Sequence, residues 1–181
     1  MAPTDNKDAI VLLSGGIDSA ACVEYYKSMG FLVRGIFIDY GQSYNNEERT
    51  ASSAIAAHYQ IALLQRSISG GGFEKGYVPS RNAALLSVAL MAFEKESGIV
   101  GIGIHAGTPY TDCSPEFVKA MQAVYGLYTD GRIRIDAPFL SWTKGEIVSF
   151  ARQRQVPLHL TFSNNLEDLP PSIRNSLSHA S

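Results

Sequence analysis

Ser14-Gly15-Gly16-Ile17-Asp18-Ser19 directly follows a compact apolar run at residues 9–13. Its last three residues open a segment with helical spacing at residues 17–29. Glycine at a strand-to-helix turn lets the backbone adopt positive φ and approach a ligand closely. The N–H groups that open a helix, with the positive end of its dipole, attract phosphate oxygens. The stretch therefore predicts a phosphate-binding loop, to which Ser14 and Ser19 can add hydroxyl donors.

Asp18 is the acidic residue of this predicted loop. Direct contact with phosphate is unfavourable because like charges repel, so two roles stay open: capping the helix, or holding a metal ion that bridges to the phosphates. The stretch is neither the Walker pattern, which needs Gly-Lys-Ser/Thr, nor G-x-G-x-x-G. A glycine-rich turn with an Asp-Ser cap is the structural alternative.

Short apolar runs alternate with longer helical patterns along the chain. The predicted strands are residues 9–13, 32–38, 61–64, 99–104 and 132–135. The predicted helices are residues 17–29, 47–58, 82–95, 115 to about 124, and 143–154. This alternation is typical of a doubly wound α/β fold, here with about five parallel strands and helices on both faces. Residues 1–163 form one predicted domain, and residues 164–181 an irregular C-terminal tail.

Composition narrows the class of protein. The chain has 181 residues with a net charge of −2, which is the size of one domain and argues against a basic face for nucleic acid. No apolar run reaches the roughly 18–20 residues that span a bilayer. Two cysteines and an N-terminus without an apolar signal segment favour a cytoplasmic protein with reduced thiols.

Four further motifs follow the loop in order: DYGQ (39–42), VPSRN (78–82), YTDCSPEF (110–117), and Pro138 followed by Thr143-Lys144. With SGGIDS they resemble the N-type ATP pyrophosphatases, whose fold is adenine nucleotide alpha hydrolase-like. More narrowly they resemble the QueC or ExsB family of 7-cyano-7-deazaguanine synthases. The resemblance extends from about residue 10 to residue 163.

The resemblance implies an ATP-dependent ligase of queuosine biosynthesis. Such an enzyme adenylates the carboxylate of 7-carboxy-7-deazaguanine and releases pyrophosphate, ammonia gives the amide, and a second activation gives the nitrile. ATP and Mg²⁺ held through the ATP phosphates are the implied cofactors. The implied partners are a small-molecule carboxylate, ammonia and a possible second copy of the chain, with neither nucleic acid nor membrane.

The resemblance, the loop itself and the expected position of His105 at the end of its strand together give candidate roles to individual residues. The catalytic candidates are Asp18, Arg81, Asp112 and Lys144. The candidates for binding ATP and its phosphates are Ser14, Gly15, Gly16, Ile17, Asp18, Ser19, Phe37, Ile38 and Lys144. The candidates for binding the carboxylate substrate are Tyr40, Gln42, Arg81, Asn82, His105, Asp112 and Glu116.

Structural alternatives stay open for several of these candidates. Asn82 could be a helix N-cap, and Asp112 could cap the helix that starts near Ser114. Glu116 could serve only as a partner of the helix dipole. Lys144 could be a solvated helix residue, since a lone lysine usually is.

The sequence departs from the family pattern in two places, and these departures leave two other functions to be considered. No cysteine follows Cys113, so the family's four-cysteine zinc site is not predicted and zinc is not expected. Ser80 stands where the family's VPGRN has glycine. The alternatives are a divergent zinc-less relative that adenylates another carboxylate, on a small molecule or a protein, in a defence or modification pathway, and a non-catalytic nucleotide-binding module.

Overall fold

The computed structural model describes residues 7–69 and 78–162 of the chain. The described strands are β1 (Asp8–Leu12), β2 (Leu32–Asp39), β3 (Leu63–Ser67), β4 (Gly98–Gly101) and β5 (Ile133–Asp136). The described α-helices are α1 (Ile17–Ser28), α2 (Asn45–Tyr59), α3 (Arg81–Met91), α4 (Pro115–Thr129) and α5 (Lys144–Gln153). The predicted tail, 164–181, lies outside the described residues.

The five strands form one parallel sheet in the order β3-β2-β1-β4-β5. The chain moves outward from β1 to β3, then returns to build β4 and β5 on the other side of β1. Strand order therefore reverses between β1 and β4, and a crevice opens there at the carboxyl ends of the strands. The predicted fold class is confirmed.

Helices cover both faces of the sheet. Ala9 and Val11 of β1 pack in the core cluster that contains side chains of α1, α2 and α5, whereas Ile10 and Leu12 pack in the cluster that contains α3 and α4. Every residue of β1 is buried. A strand covered on both faces has no solvent-facing side, which explains why its sequence is a continuous apolar run.

α4 extends to Thr129, past the predicted end at about residue 124. Tyr125 causes the extension because it is fully buried and its hydroxyl donates to the Leu86 carbonyl of α3 at 2.6 Å. The helix ends where Asp130 adopts a left-handed backbone conformation. Within the described ranges, no helix is long and apolar enough to cross a membrane.

Candidate active site

The predicted phosphate loop connects β1 to α1 at the carboxyl edge of the sheet. Gly15 has φ of +87°, and a Cβ at this position would lie 2.7 Å from the Glu48 carbonyl oxygen and 2.8 Å from Ala51 Cβ in α2. Glycine is therefore required both for the backbone angle and for the close packing against α2. Gly16 is the N-cap of α1, and no side chain caps that helix. No side chain therefore occupies the N-terminus of α1, where the first N–H groups of a helix can bind an anion.

Asp18 and Lys144 form an ion pair beside this loop. Lys144 Nζ lies 2.6 Å from Asp18 Oδ1, and the two side chains are 29% and 21% exposed. The pair joins the first turn of α1 to the first residue of α5 across 126 positions of sequence. Asp18 therefore does not cap α1, and Lys144 is not a solvated helix residue.

A capping box fixes the start of α5 and thereby the position of Lys144. Thr143 Oγ1 accepts from the Glu146 N–H at 3.3 Å, and Glu146 Oε2 accepts from the Thr143 N–H at 2.7 Å. These hydrogen bonds stabilise the carboxylate and lower the pKa of Glu146. Thr143 and Glu146 therefore form a reciprocal capping box.

The phosphate loop, Lys144 and the segment after β4 enclose a cavity of about 600 Å³, called here the phosphate cavity. β4 ends at Gly101 rather than at residue 104 as predicted. A Cβ on Gly103 would lie 2.7 Å from the Asp18 carbonyl oxygen, so this segment runs directly against the loop. His105 lines the cavity, and its Nδ1 is buried without a partner among the described residues.

A second cavity of about 200 Å³, the apolar cavity, lies between the carboxyl ends of β1 and β2 and the start of α3. Phe37 and Ile38 line it. The Leu13 N–H donates to the Ile36 carbonyl at 2.8 Å, where β1 ends its pairing with β2. Because alternate residues of a strand direct their backbone groups to the same side, those of Ile38 face the space beyond β1. The Ile38 carbonyl accepts a 3.4 Å bond there from Gln42 Nε2.

The turn after β2 brings three predicted substrate-binding residues together. Gln42 Oε1 accepts from the Tyr40 N–H at 2.9 Å, and the Tyr40 hydroxyl accepts from Arg81. Burial raises the pKa of Tyr40, and the nearby Arg81 guanidinium opposes that rise. All three residues line the apolar cavity.

Glu48 belongs to this group but was not predicted. Its Oε2 accepts from Gln42 Nε2 at 3.0 Å, and it lines both cavities. Burial raises the pKa of Glu48, while Gln42 and Arg81 oppose that rise. A glutamate in the first turn of a helix is ordinarily explained by the helix dipole, and the sequence offered no further signal.

Asn82 and Asp112 form a buried pair at the start of α3. The Asn82 N–H donates to Asp112 Oδ2 at 3.3 Å, and Asn82 Nδ2 donates to the Asp112 carbonyl at 3.0 Å. Asp112 therefore lies at the N-terminus of α3 and does not cap α4, whose N-cap is Ser114. Asn82 is not the N-cap of α3, because Ser80 holds that position.

Two predicted substrate-binding residues lie apart from the cavities. Asp112 lines neither cavity, although its Oδ1 is buried without a partner among the described residues. Glu116 is exposed on the first turn of α4 and also lines neither cavity. The structure brings the other candidates together at one edge of the sheet.

The sequence model of the queuosine biosynthesis protein QueC matches residues 8–70 and 62–168, which is most of the chain. The chain belongs to the QueC family.

Curated members of the QueC family named 7-cyano-7-deazaguanine synthase match over most of their length. The Rhodopirellula baltica protein is 34% identical, with 94% of this chain and 80% of the relative covered. The Desulfitobacterium hafniense protein is 34% identical over 87% of this chain and 79% of the relative. The Coxiella burnetii protein is 32% identical over 87% and 82%.

A solved structure shows the same fold as this QueC-family chain. It is described as a predicted subunit of tRNA methyltransferase from Methanocaldococcus jannaschii, with a TM-score of 0.54 and 15% identity. The likeness covers 81% of this chain and 76% of that one. At this identity the comparison supports the arrangement of strands and helices only.

Proposed function

We propose that this QueC-family chain converts 7-carboxy-7-deazaguanine, ATP and ammonia to 7-cyano-7-deazaguanine. The observation that carries the proposal is the Lys144–Asp18 pair at 2.6 Å beside an uncapped helix N-terminus, next to an apolar cavity of about 200 Å³. The first feature suits a polyphosphate and the second a flat heterocyclic base.

The chemistry needs two activations by ATP. A carboxylate oxygen attacks the α-phosphorus, pyrophosphate leaves, and an acyl-adenylate forms. Ammonia attacks the acyl carbon, AMP leaves with the former carboxylate oxygen, and a proton is lost, which gives the amide. The amide oxygen then attacks a second ATP at its α-phosphorus, and pyrophosphate leaves. AMP departs with that oxygen as the nitrogen loses two protons, which gives the nitrile. The protein orients the reactants and stabilises the charge on departing pyrophosphate.

Lys144 and the phosphate loop are the groups that we assign to pyrophosphate. The Ile38 backbone is assigned to the adenine edge, because it faces the apolar cavity where β1 has ended. Arg81 is assigned to the α-phosphate or the substrate carboxylate, since its planar guanidinium can bind either in a bidentate manner. Tyr40, Gln42, Asn82 and His105 are assigned to the substrate.

Mg²⁺ fits the phosphate cavity through Asp18. The described residues contain no group of three or more His, Cys, Asp or Glu that could hold a metal ion by themselves. Mg²⁺ is commonly held by one or two carboxylates together with substrate phosphates and water, so a single aspartate suffices. When bound, the ion neutralises phosphate charge. Asp112 lies outside the cavities and is assigned to positioning α3 and Arg81.

The other functions considered from the sequence are not favoured. The relatives described above are named for this reaction, rather than for adenylation of another carboxylate. A cytoplasmic location is part of the proposal, because the substrate is ATP and the chain's two cysteines are free thiols.

Isotope exchange between ATP and pyrophosphate tests this function. Wild-type protein with Mg²⁺ and 7-carboxy-7-deazaguanine should exchange labelled pyrophosphate into ATP, because adenylation is reversible before ammonia is added. Exchange should be lost when the acid is omitted. Exchange that requires a different carboxylic acid would contradict the proposed substrate, and its absence with every acid would contradict adenylation.

A homodimer is the second partner that we propose, through the exposed face of α4. Leu127 and Tyr128 are 83% and 76% exposed, and Val124 is exposed one turn earlier. Ala120 and Ala123 are exposed on the same face. Large and small apolar side chains thus lie side by side on one helix. The large side chains of one copy can pack against the small side chains of a second copy.

An antiparallel pair of α4 helices centred on Val124 is self-complementary. It places Tyr128 of each copy opposite Ala120 of the other. The predicted result is a dimer by analytical ultracentrifugation that becomes monomeric in Leu127→Glu. Met29→Glu, at an exposed apolar position next to α1, is the control and should stay dimeric. A monomeric wild type, or a dimeric Leu127→Glu variant, would contradict this surface.

A further inference from the structure

Glu48 stands at the wall shared by the two cavities. Four residues line both of them, namely Ser14, Ser19, Glu48 and Gly103. Glu48 is the only carboxylate among the described residues that line the apolar cavity. A molecule that reaches from one cavity into the other must pass this carboxylate.

Packing fixes the first turn of α2, and so the backbone of Glu48. Ser52 Oγ lies 2.7 Å from the Glu48 carbonyl oxygen and 2.8 Å from the Leu13 carbonyl oxygen at the end of β1. The absent Cβ of Gly15 lets the Glu48 carbonyl approach the phosphate loop. The carboxylate itself is held through Oε2 by Gln42, while Oε1 makes no hydrogen bond within the described residues.

A nucleotide with its base in the apolar cavity and its phosphates in the phosphate cavity places its ribose at this shared wall. The serine hydroxyl groups there are already engaged, since Ser14 donates to Ser19 at 3.3 Å and Ser19 donates to the Gly16 carbonyl at 2.9 Å. Gly103 has no side chain. Glu48 is therefore the strongest acceptor available to two vicinal hydroxyl groups.

We propose that Glu48 accepts hydrogen bonds from the 2′- and 3′-hydroxyls of the ATP ribose and thereby selects ribonucleotides. The inference rests on the proposed use of ATP. Hydroxyl groups suit this carboxylate because they are neutral donors. The Arg81 guanidinium offsets part of the repulsion that the carboxylate would exert on nearby phosphates. Hydrogen bonds to an ionised acceptor are stronger than those between neutral groups.

Binding of ATP, 2′-deoxy-ATP and 3′-deoxy-ATP to three proteins tests the proposal by isothermal titration calorimetry. Wild-type protein should bind each deoxy analogue about tenfold more weakly than ATP, which is the loss expected for a hydrogen bond to a charged group. Glu48→Ala removes both hydrogen bonds, so it should weaken ATP binding by about a hundredfold and bind all three nucleotides almost equally. Glu96→Ala, at an exposed bend outside both cavities, should behave as wild type.

The outcomes separate this inference from the proposed function. Failure of wild-type protein to bind ATP would contradict nucleotide use as a whole. ATP binding without discrimination in wild type, or with discrimination retained in Glu48→Ala, would overturn the role of Glu48 alone. If Glu48→Ala does not fold, Glu48→Gln replaces it. Because an amide has one oxygen and no charge, Glu48→Gln should discriminate between ATP and its deoxy analogues severalfold less than wild type does. Discrimination equal to that of wild type would overturn the proposal.

Discussion

At the scale of single residues, the contact between Asp18 and Lys144 bears most directly on the proposed reaction with ATP. Each residue was a candidate from its own motif, but the sequence could not show that they meet, because 126 positions separate them. Asp112 illustrates the opposite case, since its motif pointed to a substrate contact and the structure places it at the start of α3. Local patterns identify a residue type, whereas docking of helices decides what that residue touches.

Removing Lys144 should abolish most of the activity. Lys144→Ala is expected to slow ATP–pyrophosphate exchange by on the order of 10²–10³, the usual cost of losing one group that stabilises transition-state charge. Lys95→Ala, at an exposed position distant from both cavities, is the control and should leave the rate unchanged. Exchange in Lys144→Ala within threefold of wild type would refute the role assigned to this lysine.

Ser80→Gly should stabilise the protein. Ser80 has φ of +64° and its side chain makes no capping hydrogen bond. A left-handed conformation costs a non-glycine residue roughly 1–2 kcal/mol, partly offset by the greater freedom of glycine in the unfolded chain. We expect the free energy of unfolding to rise by about 0.5 kcal/mol, measured as a higher urea midpoint with an unchanged slope. A lower midpoint would show that serine contributes a contact there.

At the scale of elements, the α5 capping box was predictable because Thr143 and Glu146 have the required spacing, and such caps depend on local sequence alone. The length of α4 was not predictable, because it depends on burial of Tyr125 against α3. The role of Glu48 depends similarly on how Ser52 fastens α2 to the end of β1. Elements whose limits arise from tertiary packing are the ones that sequence patterns misplace.

Thr143→Ala should weaken α5 and disturb Lys144. Loss of an N-cap hydrogen bond is expected to lower the free energy of unfolding by about 1 kcal/mol in urea denaturation at pH 7. Thr50→Ala, an exposed threonine inside α2, is the control and should change it by less than about 0.5 kcal/mol. Equal stability of Thr143→Ala and wild type would contradict the capping role.

The effect of Thr143→Ala should also depend on pH. The pKa of Glu146 is lowered in the folded state by its bonds with Thr143, so the stability from this carboxylate is present above its ordinary pKa. That stability is lost as the pH falls through the folded-state pKa. The difference between Thr143→Ala and wild type should therefore shrink in acid, and a difference independent of pH would contradict the contribution of Glu146.

At the scale of the whole molecule, alternation of apolar runs and helical patterns was enough to predict a doubly wound sheet, because short parallel strands need crossover helices. The strand order and the switch point between β1 and β4 required the structure. The site at that switch point was predictable only in general, from the rule for open parallel sheets. Its division into two cavities was not, since it arises from how α2 and α3 dock.

The protein should work without zinc. Its two cysteines are both buried, and burial raises the pKa of both thiols, which disfavours the thiolate form that binds zinc. Metal analysis of purified protein should find less than about 0.1 equivalent of zinc, and a zinc-selective chelator should not reduce exchange activity. About one tightly bound equivalent would contradict this expectation.

Product analysis by mass spectrometry is the measurement that tests the account most directly. The wild-type protein is incubated with ATP, Mg²⁺, ¹⁵N-ammonium and 7-carboxy-7-deazaguanine. The account predicts 7-cyano-7-deazaguanine that carries one ¹⁵N, with two AMP formed for each nitrile, and the Lys144→Ala variant should form both on the order of 10²–10³ more slowly. Labelled amide without nitrile would contradict the second activation, and unchanged acid without AMP would contradict the proposed reaction altogether.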